Sequence, residues 1–181
     1  MMKRKWLAFG IVAAMALSMV ACGGSDDTKV IEASSNGAGD AESTAQNDEG
    51  YVFHYDGTEL KMDDDAAPIV EKLGEPSQYF ESPSCAAEGI GKLYTYSDFE
   101  IQTYPDGDVD RILYVRLRTD NVATDEGIDL SSTREDIVAA YGEPAEEATG
   151  SMTYELGGTS LIFIFDGDSL NSIEYDSAMN K

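Results

Sequence analysis

Ile69-Val70-Glu71-Lys72-Leu73-Gly74-Glu75-Pro76 returns 68 residues later as Ile137-Val138-Ala139-Ala140-Tyr141-Gly142-Glu143-Pro144. In both copies apolar residues at i, i+1 and i+4 make one buried stripe on a helix. The glycine supplies the left-handed residue just past the helix end, and the proline two positions later blocks continuation. The two copies therefore predict two short helices with the same stop signal. Asp63, Asp64 and Asp65 precede the first helix, where a positive dipole end favours them. Ser132 and Glu135 have the spacing of a capping box before the second.

Alternating apolar and polar residues follow each helix. The alternation predicts strands over Lys92–Tyr96, Phe99–Tyr104 and Ile112–Arg118 after the first, and over Met152–Leu156, Ser160–Phe165 and Leu170–Tyr175 after the second. Asp106-Gly107 and Asp166-Gly167 join the last two strands of each set, a pairing favoured in tight hairpins. A further hairpin, Val52–Tyr55 with Thr58–Met62 around Asp56-Gly57, precedes the first helix. The layout is a helix and an antiparallel meander, stated twice, which is an α+β class of fold.

A helix ending in Gly-x-Pro and then a meander, in tandem over about residues 63–176, resembles the β-lactamase-inhibitor-protein-like (BLIP-like) superfamily. That superfamily includes small outer-membrane assembly lipoproteins of the BamE type. The segments Pro83-Ser84-Cys85-Ala86 and Thr124-Asp125-Glu126-Gly127-Ile128 also look like parts of exported lipoproteins of Gram-positive anaerobes. The resemblance implies two BLIP-like units, residues 51–122 and 123–181, forming a curved sheet with helices on one face. The other face would be open and concave, and the inhibitor proteins use such a face to grip an enzyme. Fold alone does not transfer function, so an inhibitor-like role rests on analogy.

The N-terminal residues read as an export signal, residues 1–21. Lys3, Arg4 and Lys5 form a basic region, and Trp6–Val20 an apolar stretch shorter than the roughly 20 residues a membrane-spanning helix needs. Leu17-Ser18-Met19-Val20-Ala21-Cys22 resembles the lipobox of bacterial lipoproteins, which implies lipidation at Cys22. Two or more acyl chains give stable anchoring. Residues 22–50 are dominated by Gly, Ser, Ala, Asp, Glu, Asn and Thr, which is the composition of a disordered acidic linker. The expected location is extracytoplasmic, on the outer face of the plasma membrane, with lipid at Cys22 as the only membrane contact.

The full chain has a formal charge of −23, and residues 22–181 hold 9 Lys and Arg against 35 Asp and Glu. That balance repels phosphate backbones, so nucleic acid is excluded as a partner. It leaves basic proteins and divalent cations open. With Cys22 spent on lipid, Cys85 is the one remaining thiol, either buried and inert, joined to another molecule, or reactive.

Catalytic motifs are absent: no Gly-x-Ser-x-Gly, no paired-His zinc motif, no phosphate-binding glycine loop and no Cys-x-x-Cys. A thiol enzyme would have to pair Cys85 with the sole histidine, His54. Asp106-Gly107-Asp108-Val109-Asp110 and Asp166-Gly167-Asp168 place carboxylates at hairpin tips, an arrangement open to weak calcium binding but without EF-hand spacing. Neither a cofactor nor a resident metal is expected.

The strand Ile112–Arg118 carries the most informative cluster. Alternation sends Leu113, Val115 and Leu117 to the helix side, and Tyr114, Arg116 and Arg118 to the opposite face. Tyr104 belongs to the neighbouring strand. Tyrosine and arginine are enriched in binding hot spots, which makes Tyr104, Tyr114, Arg116 and Arg118 the candidate protein-binding residues. The same arginines are also placed to pair with carboxylates across strands. Leu161, Phe163 and Phe165 alternate with Ile162 and Ile164, so that strand is apolar on both faces, as a strand covered on both sides is. The expected function is a lipid-anchored, non-catalytic protein-binding module with an unidentified partner protein. A cell-envelope scaffold or weak calcium-binding lipoprotein is the alternative.

Overall fold

The computed structural model describes residues 50–180; Cys22, the leader and the linker lie outside them. The first hairpin, β1 (Val52–Tyr55) and β2 (Thr58–Lys61), turns on Asp56-Gly57 with φ of 45° and 71°. Such a turn matches the twist of the strands it joins. Phe53 and Leu60 are cross-strand partners and buried, while His54 and Glu59 on the other face are exposed.

Helix α1 (Ala66–Leu73) begins at Asp65, whose carboxylate accepts the Ala67 N–H at 3.0 Å. It ends at Gly74 with φ 83°, whose N–H donates to the Val70 carbonyl. Helix α2 (Arg134–Tyr141) ends the same way at Gly142, φ 79°. Its capping box is Thr133 with Asp136, one residue later than the Ser132 and Glu135 pair expected from sequence. Ser132 serves the preceding turn instead, accepting the Asp129 N–H at 3.1 Å.

Eight further strands follow: β3 (Gln78–Pro83), β4 (Ile90–Thr95), β5 (Phe99–Asp106), β6 (Val109–Leu117), β7 (Glu146–Ala148), β8 (Ser151–Leu156), β9 (Thr159–Asp166) and β10 (Ser169–Ser177). They form one antiparallel sheet in the order β3-β4-β5-β6-β10-β9-β8-β7. The α+β expectation of two tandem helix-plus-meander units is therefore corrected. Of the described residues 49% are strand and 12% helix, and the strands following the two helices make a single sheet. The physical reason lies at the seam. β6 and β10 pair edge to edge, from Ile173↔Leu117 to Asp176↔Tyr114, so neither meander keeps a separate edge or a separate core.

Register explains where that core sits. Phe99, Leu117, Ile173, Phe163 and Met152 are successive cross-strand partners on one face; Ile101, Val115, Tyr175, Leu161 and Tyr154 form the row beside them. All ten are buried in one cluster, to which the hairpin adds Phe53 and Leu60 and the helices add Ile69, Leu73, Ile137, Val138 and Tyr141. A sheet packed on one side only is an ordinary antiparallel arrangement. The residues between these rows point the other way.

Candidate functional site

The opposite face carries two rows in the same register. One runs Glu100, Arg116, Glu174, Ile162 and Thr153 across β5, β6, β10, β9 and β8. The other runs Phe80, Leu93, Gln102, Tyr114, Asp176 and Ser160 from the β3 edge inward. Leu93, Gln102, Tyr114, Ile162 and Ile164 are each partly exposed. The apolar second face of β9, expected to be covered, is partly open to solvent at Ile162 and Ile164.

Arg116 is the centre of this face. Its Nε donates to Glu174 at 2.6 Å and its Nη1 to Glu100 at 2.8 Å, while Arg118 Nη1 reaches the other Glu100 oxygen at 3.2 Å. Burial is the largest single effect and works against the Arg116 charge, but the hydrogen bond to Glu174 and the nearby charges of Glu174 and Glu100 together outweigh it, and its pKa is raised. Both glutamate side chains are only 9% exposed, so their charges depend on these guanidinium groups. The cross-strand pairing weighed from sequence is thus present, and it ties β5, β6 and β10 together. Arg116 also lies 4.9 Å from the centre of the Tyr114 ring, a cation–π contact that holds the ring down. Burial pushes the Tyr114 phenol pKa up. Beside the arginines, Ile164, Asn171, Ser172 and Glu174 border an open recess of about 430 Å³.

Tyr114, Arg116 and Arg118 therefore share one face, as expected. Tyr104 does not join them: it is 6% exposed, and its hydroxyl donates to Asp63 Oδ1 at 2.9 Å. The pairing of β5 with β6 shifts register between Gln102 and Thr103, leaving Leu113 of β6 without a partner, so the ladder around Tyr104 is not the regular one the expectation assumed. Arg111 is likewise diverted, donating to the Asp63 carbonyl at 2.8 Å and to Asp106. Sequence reasoning missed Asp176. It is 8% exposed, one of its oxygens has no hydrogen-bond partner, and burial with Glu174 nearby raises its pKa to about 6. Its place two residues after Glu174 on an alternating strand was the available signal.

The other candidate chemistry is dispersed. Cys85 is exposed in the loop between β3 and β4, and His54 is bonded to Asp125 at 3.0 Å, with no hydrogen bond joining the two. Asp106 and Asp110 are held by Arg111 and Lys92, and among the described residues no three His, Cys, Asp or Glu side chains converge as a metal site requires. Comparison with known proteins gives no match to a family model, to a curated protein or to a solved structure.

Proposed function

We propose that this chain is a non-catalytic protein-binding module, held outside the membrane by lipid on Cys22, and that its uncovered sheet face is the contact surface. One observation supports this reading above the rest. Leu93, Tyr114, Ile162 and Ile164 stand partly exposed among side chains already fixed by Arg–Glu pairs. Apolar contact area on a rigid, internally neutralised frame suits association, because little side-chain freedom is lost on docking. The partner is a protein of the envelope or the surrounding medium.

The test is capture from envelope and secreted proteins with the full chain as bait. Tyr114→Ala combined with Ile162→Ser removes contact area without touching the ion pairs. The double variant loses a partner that the wild type retains, at an unchanged melting temperature; equal capture by both rejects the face. The anchor is tested separately, since Cys22→Ser abolishes incorporation of labelled palmitate if lipid is attached there.

A further inference from the structure

β3 lies at one edge of the eight-stranded sheet, and its chemistry is unlike that of an edge protected from pairing. Phe80 (63% exposed), Tyr79 (50%) and Ile90 (47%) are three of the four exposed large hydrophobic residues among the described residues. All three lie in the β3–β4 ladder, Phe80 opposite Leu93, Tyr79 opposite Tyr94 and Ile90 opposite Pro83. Edges are ordinarily blunted by lysine, by bulges or by extreme shortness. The β7 edge has only three residues, whereas β3 has six in unbroken register, with no basic residue and a proline only at its last position.

Hydrogen-bond parity shows what that edge offers. The Ser84 N–H donates to the Gly89 carbonyl, and on the far side of β4 the Tyr96 N–H donates to the Phe99 carbonyl. Antiparallel ladders alternate bonded and non-bonded pairs. In the register Pro83↔Ile90 to Gln78↔Thr95, the backbone groups of Ser82, Phe80 and Gln78 therefore face β4. Those of Tyr79 and Glu81 face outward. One donor and one acceptor on each of two residues are set at the spacing an incoming antiparallel strand needs.

Charge identifies the occupant. Residues 50–180 hold 28 Asp and Glu against 7 Lys and Arg. Six of the seven bases pair with carboxylates, and Lys72 donates to the Gly57 carbonyl. A strand from a second copy would set Tyr79, Phe80 and Glu81 against themselves and bring two strongly acidic bodies together, which repulsion opposes. The geometry points to β3 as a docking edge for an extended segment of a basic partner protein. That segment adds antiparallel to Tyr79–Glu81 with a basic–apolar–basic triplet. Its basic residues lie opposite Tyr79 and Glu81, where main-chain bonds form in pairs, and its apolar residue lies opposite Phe80. Strand addition of this kind takes affinity from the main chain and selectivity from alternate side chains.

Phe80 and Leu93 also border the open face, so the two readings meet at this corner, and the variant Tyr114→Ala with Ile162→Ser, which leaves β3 unaltered, tells them apart. The test uses the full chain and a labelled synthetic peptide, acetyl-Thr-Lys-Val-Lys-Thr-amide, with a Glu-Val-Glu counterpart as control. Peptide binding protects the Tyr79 and Glu81 amides from hydrogen exchange and leaves Phe80, already bonded to β4, unchanged. Glu81→Pro, which removes an outward donor but no bond to β4, weakens binding by roughly tenfold or more. Phe80→Asp weakens it as well, at an unchanged melting temperature, and Tyr114→Ala with Ile162→Ser does not. Equal binding of the acidic peptide, protection spread over other strands, or no binding overturns the proposal. So does a dimer in sedimentation equilibrium whose β3 amides are protected without peptide, because a second copy then holds the edge.

Discussion

Arg116 and Asp176 are neighbours on one sheet face, yet they respond to substitution in opposite senses. Removing the guanidinium leaves the largely buried Glu174 without its counter-charge and Glu100 with Arg118 alone. Arg116→Ala is expected to lower stability by about 1–3 kcal/mol in urea unfolding, allowing for the partial exposure of the arginine itself. Arg116→Met combined with Glu100→Gln and Glu174→Gln recovers most of that loss, because no charge is then stranded. Asp176 is faced by Glu174 and Arg116, by Asn180 at 3.1 Å, and across the strands by Tyr114 and Ser160. Its folded pKa of about 6 lies above the ordinary carboxylate value, so the native state holds a proton that the unfolded chain has lost. Stability therefore falls as pH rises from about 4 to about 6 and does not return above that. Asp176→Asn is expected to raise stability at pH 7.5 by on the order of 1–3 kcal/mol and to flatten this part of the profile. A variant no more stable than wild type at pH 7.5 contradicts the assignment. Alternation alone put Tyr114, Arg116 and Arg118 on one face. It could not supply their carboxylate partners, which lie on other strands, nor foresee Asp63, the distant partner of the buried Tyr104.

Short-range signals located the elements well wherever the signal was itself short-range. Gly74 and Gly142 both stand at positive φ with the cap N–H bonded four residues back, so each repeated Gly-x-Pro ends a helix. A Cβ at Gly142 meets no atom within 4 Å, which leaves backbone strain as the whole effect of substitution. Gly142→Ala is expected to cost about 1 kcal/mol. Thr133→Ala, which removes the capping box, costs a similar amount by thermal unfolding, and Ser132→Ala costs less. Should Ser132→Ala prove the more damaging, the cap belongs to the residue first expected from sequence. β3 and β7 went unread for a physical reason. Nearly every residue of each is exposed, so neither strand carries the alternation that burial on one face imposes.

At the scale of the whole molecule the decisive contact is β6 against β10. It joins residues more than fifty positions apart and merges the strands after both helices around one core. A shared core predicts shared fate. The full chain is expected to lose its strand signal and its tyrosine environment in one coincident transition, as a two-state domain does. Residues 51–122 or 123–181 expressed alone are expected to show no cooperative melt, since each would expose the apolar row of β6 or β10 and an unpaired edge. A sharp, reversible transition in either half would mean that the seam is dispensable.

The amino-acid sequence determined what is decided within a few residues, namely where helices begin and end, where hairpins turn and which side chains of one strand share a face, together with a strongly acidic net charge. Tertiary structure decided the class of fold, the single sheet, the carboxylates that neutralise the arginines, and the edge left open at β3. Each of these depends on pairing between distant strands. A strand's own side chains fix which face is buried but carry no record of which neighbour will lie beside it.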